Sequence, residues 1–359
     1  MGRWILLLLG VSVTTALSCS RLPCQGADPS CEPASAAVLL FALPGSLGGS
    51  ALGIVRTGQS LCYDTAGTSA ACPLATHPLQ DGEVLLGRFR NSVGTSDGHI
   101  FDQATGLIWR RCTLGYSGRN CEFVGPQTSF TIADANIECS NLGEGWRLPT
   151  IQELSTLMDS GRSNPSYNPA LFPDGNFGIA HWSATADAGT PGSSFRLDFS
   201  LGVIISDADT NTNGVRCVRG PVHSGRHTYS AAGENSVLDT VTGLTWQKCA
   251  NGQTIPNCTG AITIQGWQAA LQYCRDLTLD GKSWRLPNRN ELQSLMDYTV
   301  TAPRINQQAF PNASTGNFWT SSTVHGSSSQ AWTIDFSTGI VAPNGKGGTG
   351  PGARCVSGP

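Results

Sequence analysis

Along the second half of the chain, Ile264, Trp267, Ala270, Leu271, Cys274 and Leu277 fall at helical spacing and form one apolar stripe over more than three turns. A helix is predicted there. After the turn Trp284-Arg285-Leu286-Pro287, Asn288 and Glu291 have the spacing of a capping box, with Leu292, Leu295 and Met296 on one face. Thr150 and Glu153, with Leu154, Leu157 and Met158, repeat that pattern, so a short second helix is expected in both places. The period then changes to two: Ala331 to Phe336 alternates and runs into Ser337-Thr338-Gly339, which reads as a hairpin, and Arg354-Cys355-Val356 reads as a last strand. The pattern predicts an α+β class.

The same motifs occur twice. Gly106-Leu107-Ile108-Trp109 recurs as Gly243-Leu244-Thr245-Trp246, and Trp146-Arg147-Leu148-Pro149 as Trp284-Arg285-Leu286-Pro287. Trp182-Ser183, Asp198-Phe199 and Arg216-Cys217 recur as Trp319-Thr320, Asp335-Phe336 and Arg354-Cys355. A period this long is that of a duplicated domain and not of a solenoid unit. Two homologous domains, 96–220 and 225–359, are therefore expected, with Pro221 to Arg226 as connector.

Thirteen cysteines without metal-type spacings indicate an oxidising compartment. Cys112 and Cys121, like Cys249 and Cys258, are separated by eight residues and would each close a hairpin. Cys139 with Cys217 and Cys274 with Cys355 would fasten the first helix of a copy to its last strand. Residues 1–18 have the layout of a signal peptide, with Arg3, an apolar stretch from Trp4 to Val13 and Ala16-Leu17-Ser18 before Cys19. Cys19 is either a lipidated N-terminus or the residue after an ordinary signal-peptidase cut, and no later segment has the roughly 20 apolar residues of a membrane span. Residues 19–53 read as a tether; residues 54–95 read as a hairpin region closed by Cys62 and Cys72, which leaves Cys24 for Cys31.

Charged residues make up only 13% of the chain and glycines number 43, which argues against coiled coils and charged tails. With a net charge of -3 and only three lysines, nucleic acid is not an expected partner. The copies differ in sign: the first has eight basic against thirteen acidic residues, net -5, and the second nine against seven, net +2. A polyanion would go to the second copy.

Arg56-Thr57-Gly58-Gln59 with Cys62-Tyr63-Asp64, Asp81-Gly82-Glu83, Asp102 to Trp109, the Trp-Arg-Leu-Pro-x-x-x-Glu-Leu segments, Phe318-Trp319-Thr320-Ser321-Ser322 and the closing Arg-Cys-Val together carry a resemblance. Over residues 54–358 the chain resembles a tandem DUF1566 protein, a family also called the C-terminal domain of the Legionella collagen-like adhesin. The resemblance implies two tandem C-type lectin-like domains, each with two helices on a twisted antiparallel sheet and a cystine from first helix to last strand. It also implies a bacterial lipoprotein or secreted protein of the cell surface that binds an extracellular glycan, such as a glycosaminoglycan, or a host-matrix protein. Membrane attachment would be through an N-terminal lipid alone. The alternatives are an envelope spacer without a specific ligand and, third, a lectin-fold oxidase. Fold alone does not choose among them.

Repetition of Arg147 and Arg285 beside a tryptophan and a capped helix assigns them to core bridges, and Trp109, Trp246, Trp182 and Trp319 to the core itself. Asp207, Asp209, Asn211 and Asn213 have alternate-residue oxygen spacing, but no Glu closes the loop, so no metal is expected beyond this weak candidate. No zinc-protease, nucleophile-elbow, phosphate-loop or Cys-x-x-Cys motif is present; neither an enzyme nor a cofactor is expected. The binding surface is expected on the loops of the second copy, from Tyr298 to Gly352, with Arg304, His325, Trp332 and Lys346 as ligand contacts.

Overall fold

The computed structural model describes Thr57, Gln59, residues 62–63, 69–70 and 93–94, and residues 98–358 apart from 103, 126–127, 175–179, 224 and 226. The calls on the signal peptide, tether, Cys19, Cys24, Cys31 and Cys72 lie outside the described residues. Ahead of the repeats, β1 (Cys62–Tyr63) pairs antiparallel with β2 (Ser69–Ala70). Cys62 is disulfide-bonded.

The first copy runs β3 (Val93–Gly94), β4 (His99–Asp102), β5 (Leu107–Arg110), the small hairpin β6 (Tyr116–Ser117) and β7 (Glu122–Phe123), then α1 (Ile132–Asn141) and α2 (Ile151–Ser155). Three longer strands, β8 (His181–Ala186), β9 (Ser193–Asp198) and β10 (Val203–Ala208), precede the closing β11 (Val218–Arg219). The second copy repeats this order as β12 (Tyr229–Ala231), β13 (Ser236–Asp239), β14 (Thr245–Gln247), α3 (Trp267–Asp276), α4 (Arg289–Ser294), β15 (Asn317–Val324), β16 (Ser327–Asp335), β17 (Val341–Gly345) and β18 (Val356–Ser357).

The helices begin where side chains can take the free N–H groups of the first turn. At α2 the Thr150 hydroxyl accepts from Glu153 N at 3.2 Å while Glu153 Oε2 accepts from Thr150 N at 2.8 Å. At α4 Asn288 and Glu291 do the same at 2.9 and 2.8 Å. Both predicted capping boxes are present. The helical stripe is shorter than its pattern: α3 starts at Trp267 after Gly266, so Ile264 precedes the helix and is 57% exposed.

In each copy the ends of the domain meet in a small sheet. Its order is β3-β4-β5-β11 in the first copy and β12-β13-β14-β18 in the second, with Trp109 opposite Val218 and Trp246 opposite Val356. The cystines Cys139–Cys217 and Cys274–Cys355 join the first helix of a copy to the segment leading into that closing strand. Each lies in its own apolar cluster: Ala135, Trp146 and Trp182 surround the first, and Trp267, Trp284 and Trp319 the second. Cys112–Cys121 and Cys249–Cys258 close the two short hairpin loops.

The copies are not beads on a connector. Strands β8-β9-β10 of the first and β17-β16-β15 of the second form one six-stranded antiparallel sheet, joined where Ile204 of β10 lies opposite Val341 of β17. One apolar core runs across that junction, including Leu154, Met158, Phe195 and Ile204 from the first copy and Leu292, Tyr298, Trp332 and Val341 from the second. The turns β9–β10 and β16–β17 make the close approach. Gly202 has φ +73, and a Cβ there would lie 2.8 Å from Met158 Cε and 2.9 Å from the Trp332 ring. Gly339, its counterpart, has φ +81 and Phe195 at 2.9 Å. Both the left-handed backbone and the missing side chain are required at these positions.

Candidate functional site

The four residues expected on an exposed loop face do not form one. Arg304, Trp332 and Lys346 are buried, at 2%, 3% and 1% exposure, because each has a partner inside the protein. Arg304 donates to Asp187 of the first copy and its guanidinium sits 5.4 Å from the Phe195 ring. Trp332 packs in the shared core. Lys346 Nζ donates to Thr323 Oγ1 at 2.9 Å and lies 3.9 Å from the Trp267 ring centre, where the ring face stabilises the ammonium. Only His325 is exposed. It borders a shallow groove of about 580 Å³ with Asp159, Arg162 and Asn164 of the first copy.

The oxygen-rich loop is likewise occupied by its own neighbours. Asp207 lies on β10, pairs with Arg196 at 2.9 Å and accepts from Asn211 Nδ2 at 2.7 Å and Asn213 Nδ2 at 3.1 Å. Burial works to raise its carboxyl, yet the donors from Asn213 and Asn211 and the charge of Arg196 outweigh this and hold it below the usual range. Asn213 is buried and bridges to Phe130. These contacts make Asp207, Asn211 and Asn213 a hydrogen-bonded closure of β10, while Asp209 Oδ1 is buried without a hydrogen-bond partner; no group of three or more metal-binding side chains occurs among the described residues.

The repeated arginines are core bridges as the pattern indicated. Arg147 makes two 2.7 Å hydrogen bonds to Glu153, and Arg285 two of 2.7 Å to Glu291, so the capping carboxylate of each second helix is fixed from both sides. In the first copy Glu153 Oε1 also accepts from His223 N at 2.9 Å, which pins the connector onto that helix start.

A polar groove lies on the second copy, where β12 and β13 face the loop at 306–309. Its volume is about 440 Å³, and His227, Tyr229, Glu234, Lys248, Asn306 and Gln308 line it over Val237 and Ala309. His227 is held by Asp239, with Nδ1 2.5 Å from Oδ2, and both side chains are buried. Burial pushes the Asp239 carboxyl up, but the His227 hydrogen bond and charge, with Thr242 and the Val241 N–H, prevail and hold it down. The carboxylate therefore accepts and the imidazole Nδ1 donates. The Tyr229 phenol is pushed up by burial and by Asp239, so it is a neutral hydroxyl at any physiological pH. Asn306 Oδ1 accepts from Gln308 N at 3.0 Å and from Ala309 N at 3.1 Å, which sets the loop's shape. None of these groove residues was singled out by the sequence. The available signal was Asp239, the repeat counterpart of Asp102 in a distinctive motif, with a histidine twelve positions before it.

The profile of the Lcl C-terminal domain matches residues 98–219 and again residues 235–357, well over half of the chain. The chain belongs to the Lcl C-terminal domain family. Each match falls within one copy, and the groove straddles the start of the second match: His227 to Glu234 precede it, whereas Ser236, Lys248 and the 306–309 loop lie inside it. No curated protein matches the chain. Membership in this family, together with disulfides in both copies, fits an extracytoplasmic protein of the bacterial surface. Among the described residues no helix is long and apolar enough to cross a membrane.

Proposed function

We propose that this member of the Lcl C-terminal domain family is a secreted or lipid-anchored surface protein that binds an extracellular glycan, with the groove of the second copy as its site. The observation that carries this reading is the lining of that groove. Neutral hydroxyls, planar amides, His227, Lys248 and Glu234 stand over a part-apolar floor, a mixture of donors and acceptors suited to sugar hydroxyls, with Lys248 available to a sulfate or carboxylate and Glu234 to hydroxyl donors. The net +2 of the second copy favours an acidic glycan. A C-type lectin-like plan for each copy is part of the same reading, supported by the cystine that ties first helix to last strand. A binding role is favoured over thiol oxidation because all nine cysteines among the described residues are in disulfides.

A glycan array followed by calorimetry with heparin tests this. Lys248→Ala with Gln308→Ala is expected to weaken binding at least tenfold, and Arg162→Ala with His325→Ala to leave it unchanged; the reverse pattern moves the site to the groove at His325. Silence of the intact protein across glycans and matrix proteins supports the second reading, a rigid spacer, which the fusion of both copies through one sheet favours.

A further inference from the structure

Arg289 is fully buried at the junction of the copies and has no carboxylate partner among the described residues. Its Nη2 donates to Gly202 O at 3.1 Å, and its guanidinium carbon lies 4.9 Å from the Trp332 ring centre. Nε and Nη1 have no acceptor. The Tyr298 hydroxyl interacts electrostatically with both Arg289 and Arg304 and meets the Gln293 side-chain amide, which leaves its own O–H without an acceptor; Trp332 Nε1 and Arg304 Nη1 have no hydrogen-bond partner. All of these groups donate. The one unpartnered acceptor beside them, Gln293 Oε1, is a neutral amide and offsets no charge.

Packing does not account for the arginine. The repeat places Ile151 at the corresponding position of the first copy, fully buried, so an aliphatic side chain is sufficient there. Arg304 does not balance Arg289, since it is itself a cation and its charge is matched by Asp187. The junction thus carries one uncompensated positive charge whose free N–H groups point into the protein. Burial brings its pKa down to about 10, which leaves it charged at neutral pH. Water would satisfy the N–H groups but not the charge; an anion satisfies both.

We propose that the junction between the two copies binds a small monovalent anion, chloride in ordinary salt, on Arg289 Nε and Nη1 and the Tyr298 hydroxyl. The anion completes the shared core and makes the union of the copies dependent on halide. The site is separate from the glycan groove and independent of that reading.

Crystals of the intact protein grown in bromide are expected to show an anomalous peak within hydrogen-bonding reach of Arg289. Melting at fixed ionic strength is expected to be higher by at least about 2 °C in sodium chloride or bromide than in sodium gluconate, whose anion is too large for the site. Arg289→Ile, which installs the residue of the first copy, is expected to melt equally in all three salts. Tyr298→Phe, which keeps the ring, provides a second variant and is expected to reduce the difference. A bromide peak confined to the protein surface, with only water at Arg289, overturns the proposal. Equal melting of the unaltered protein in all three salts does the same.

Discussion

Gln293 Nε2 donates to Ser155 Oγ at 2.9 Å, and these two residues occupy the same position in their respective copies. Ile204 and Val341, which face each other across the central pair of strands, are also repeat counterparts. Counterparts meet only where two copies face each other about an approximate two-fold axis, as in an isologous dimer interface. The duplication has therefore enclosed a dimer-like contact within one chain. The cross-packing follows the same rule: Phe195 of the first copy packs on Gly339 of the second, while its counterpart Trp332 packs on Gly202 of the first.

One core implies one unfolding event. Urea denaturation followed by tryptophan fluorescence and by far-UV circular dichroism is expected to give coincident single transitions. Trp332→Ala, which empties a buried site shared by both copies, is expected to cost about 3–5 kcal/mol and to preserve that coincidence. Two separated transitions in the unaltered protein would show that the copies unfold independently.

The two kinds of cystine constrain loops of different length. Cys139–Cys217 and Cys274–Cys355 span 78 and 81 positions, whereas Cys112–Cys121 and Cys249–Cys258 span 9. Chain entropy gives about 4.5 kcal/mol for a long loop and about 2.6 kcal/mol for a short one. Cys274→Ser with Cys355→Ser should therefore destabilise more than Cys249→Ser with Cys258→Ser, as measured by denaturant midpoints; the opposite order would refute the loop-length argument.

What was legible in the sequence was local. The capping boxes at Thr150 and Asn288 rest on contacts three residues apart, and the roles of Arg147 and Arg285 on a glutamate six residues away. The repeat then doubled each local inference. The six-stranded sheet was not legible, because β10 and β17 carry the same alternation whether they pair with each other or form free edges. Arg304 and Lys346 resembled ligand contacts for a related reason: their partners Asp187 and Thr323 are 117 and 23 residues away, and a basic residue in a Gly-rich loop has the same sequence pattern exposed or buried. The groove depends on the loop at Asn306 folding over both opening strands, a relationship between distant segments that periodicity does not encode.

The bridge at the second helix of the second copy is nearly dry, with 9% and 2% of the Arg285 and Glu291 side chains exposed. Glu291→Ala removes the carboxylate that accepts from Arg285 and from the Asn288 N–H and is expected to cost about 3–5 kcal/mol. Asp276→Ala, which breaks the solvent-facing pair with Arg275, is the control and should leave the melting temperature unchanged. Equal effects of the two substitutions would show that the buried bridge contributes no more than a surface pair.

The copies have diverged at one buried cation, and this yields a prediction about acid. In the first copy Arg216 Nη2 donates to both oxygens of Asp174 at 2.8 Å, Thr113 N donates to the same carboxylate at 2.7 Å, and all three residues are buried. In the second copy the matching residue is Asn312, which is exposed; Arg354 keeps the carbonyl contacts, to Gln247 and Lys248, and the ring contact, to Phe310 at 4.8 Å, that Arg216 also makes to Arg110, Arg111 and Phe172, but it has no carboxylate partner among the described residues. Burial alone would raise the Asp174 carboxyl, but Arg216 and Thr113 overcome it and hold it below its ordinary value. Its unfolded pKa of about 3.9 therefore lies above its folded one. As pH falls below about 4 the unfolded chain takes up the proton first, so the stabilisation present at neutral pH is lost progressively until the folded carboxyl is protonated too. Asp174→Asn, which imports the second copy's residue, is expected to cost about 3–5 kcal/mol at pH 7, because Arg216 keeps its hydrogen bonds to the Arg110 and Arg111 carbonyls but loses its buried counter-charge. Between pH 4 and 2 its stability should then fall less steeply than that of the unaltered protein. Asp187, Asp207 and Asp239 are also held low and will keep part of the acid limb in both proteins, so the measurement is the difference between the two slopes. Parallel slopes would show that Asp174 titrates alike in the folded and unfolded chain, and would remove the buried pair from the account of acid stability.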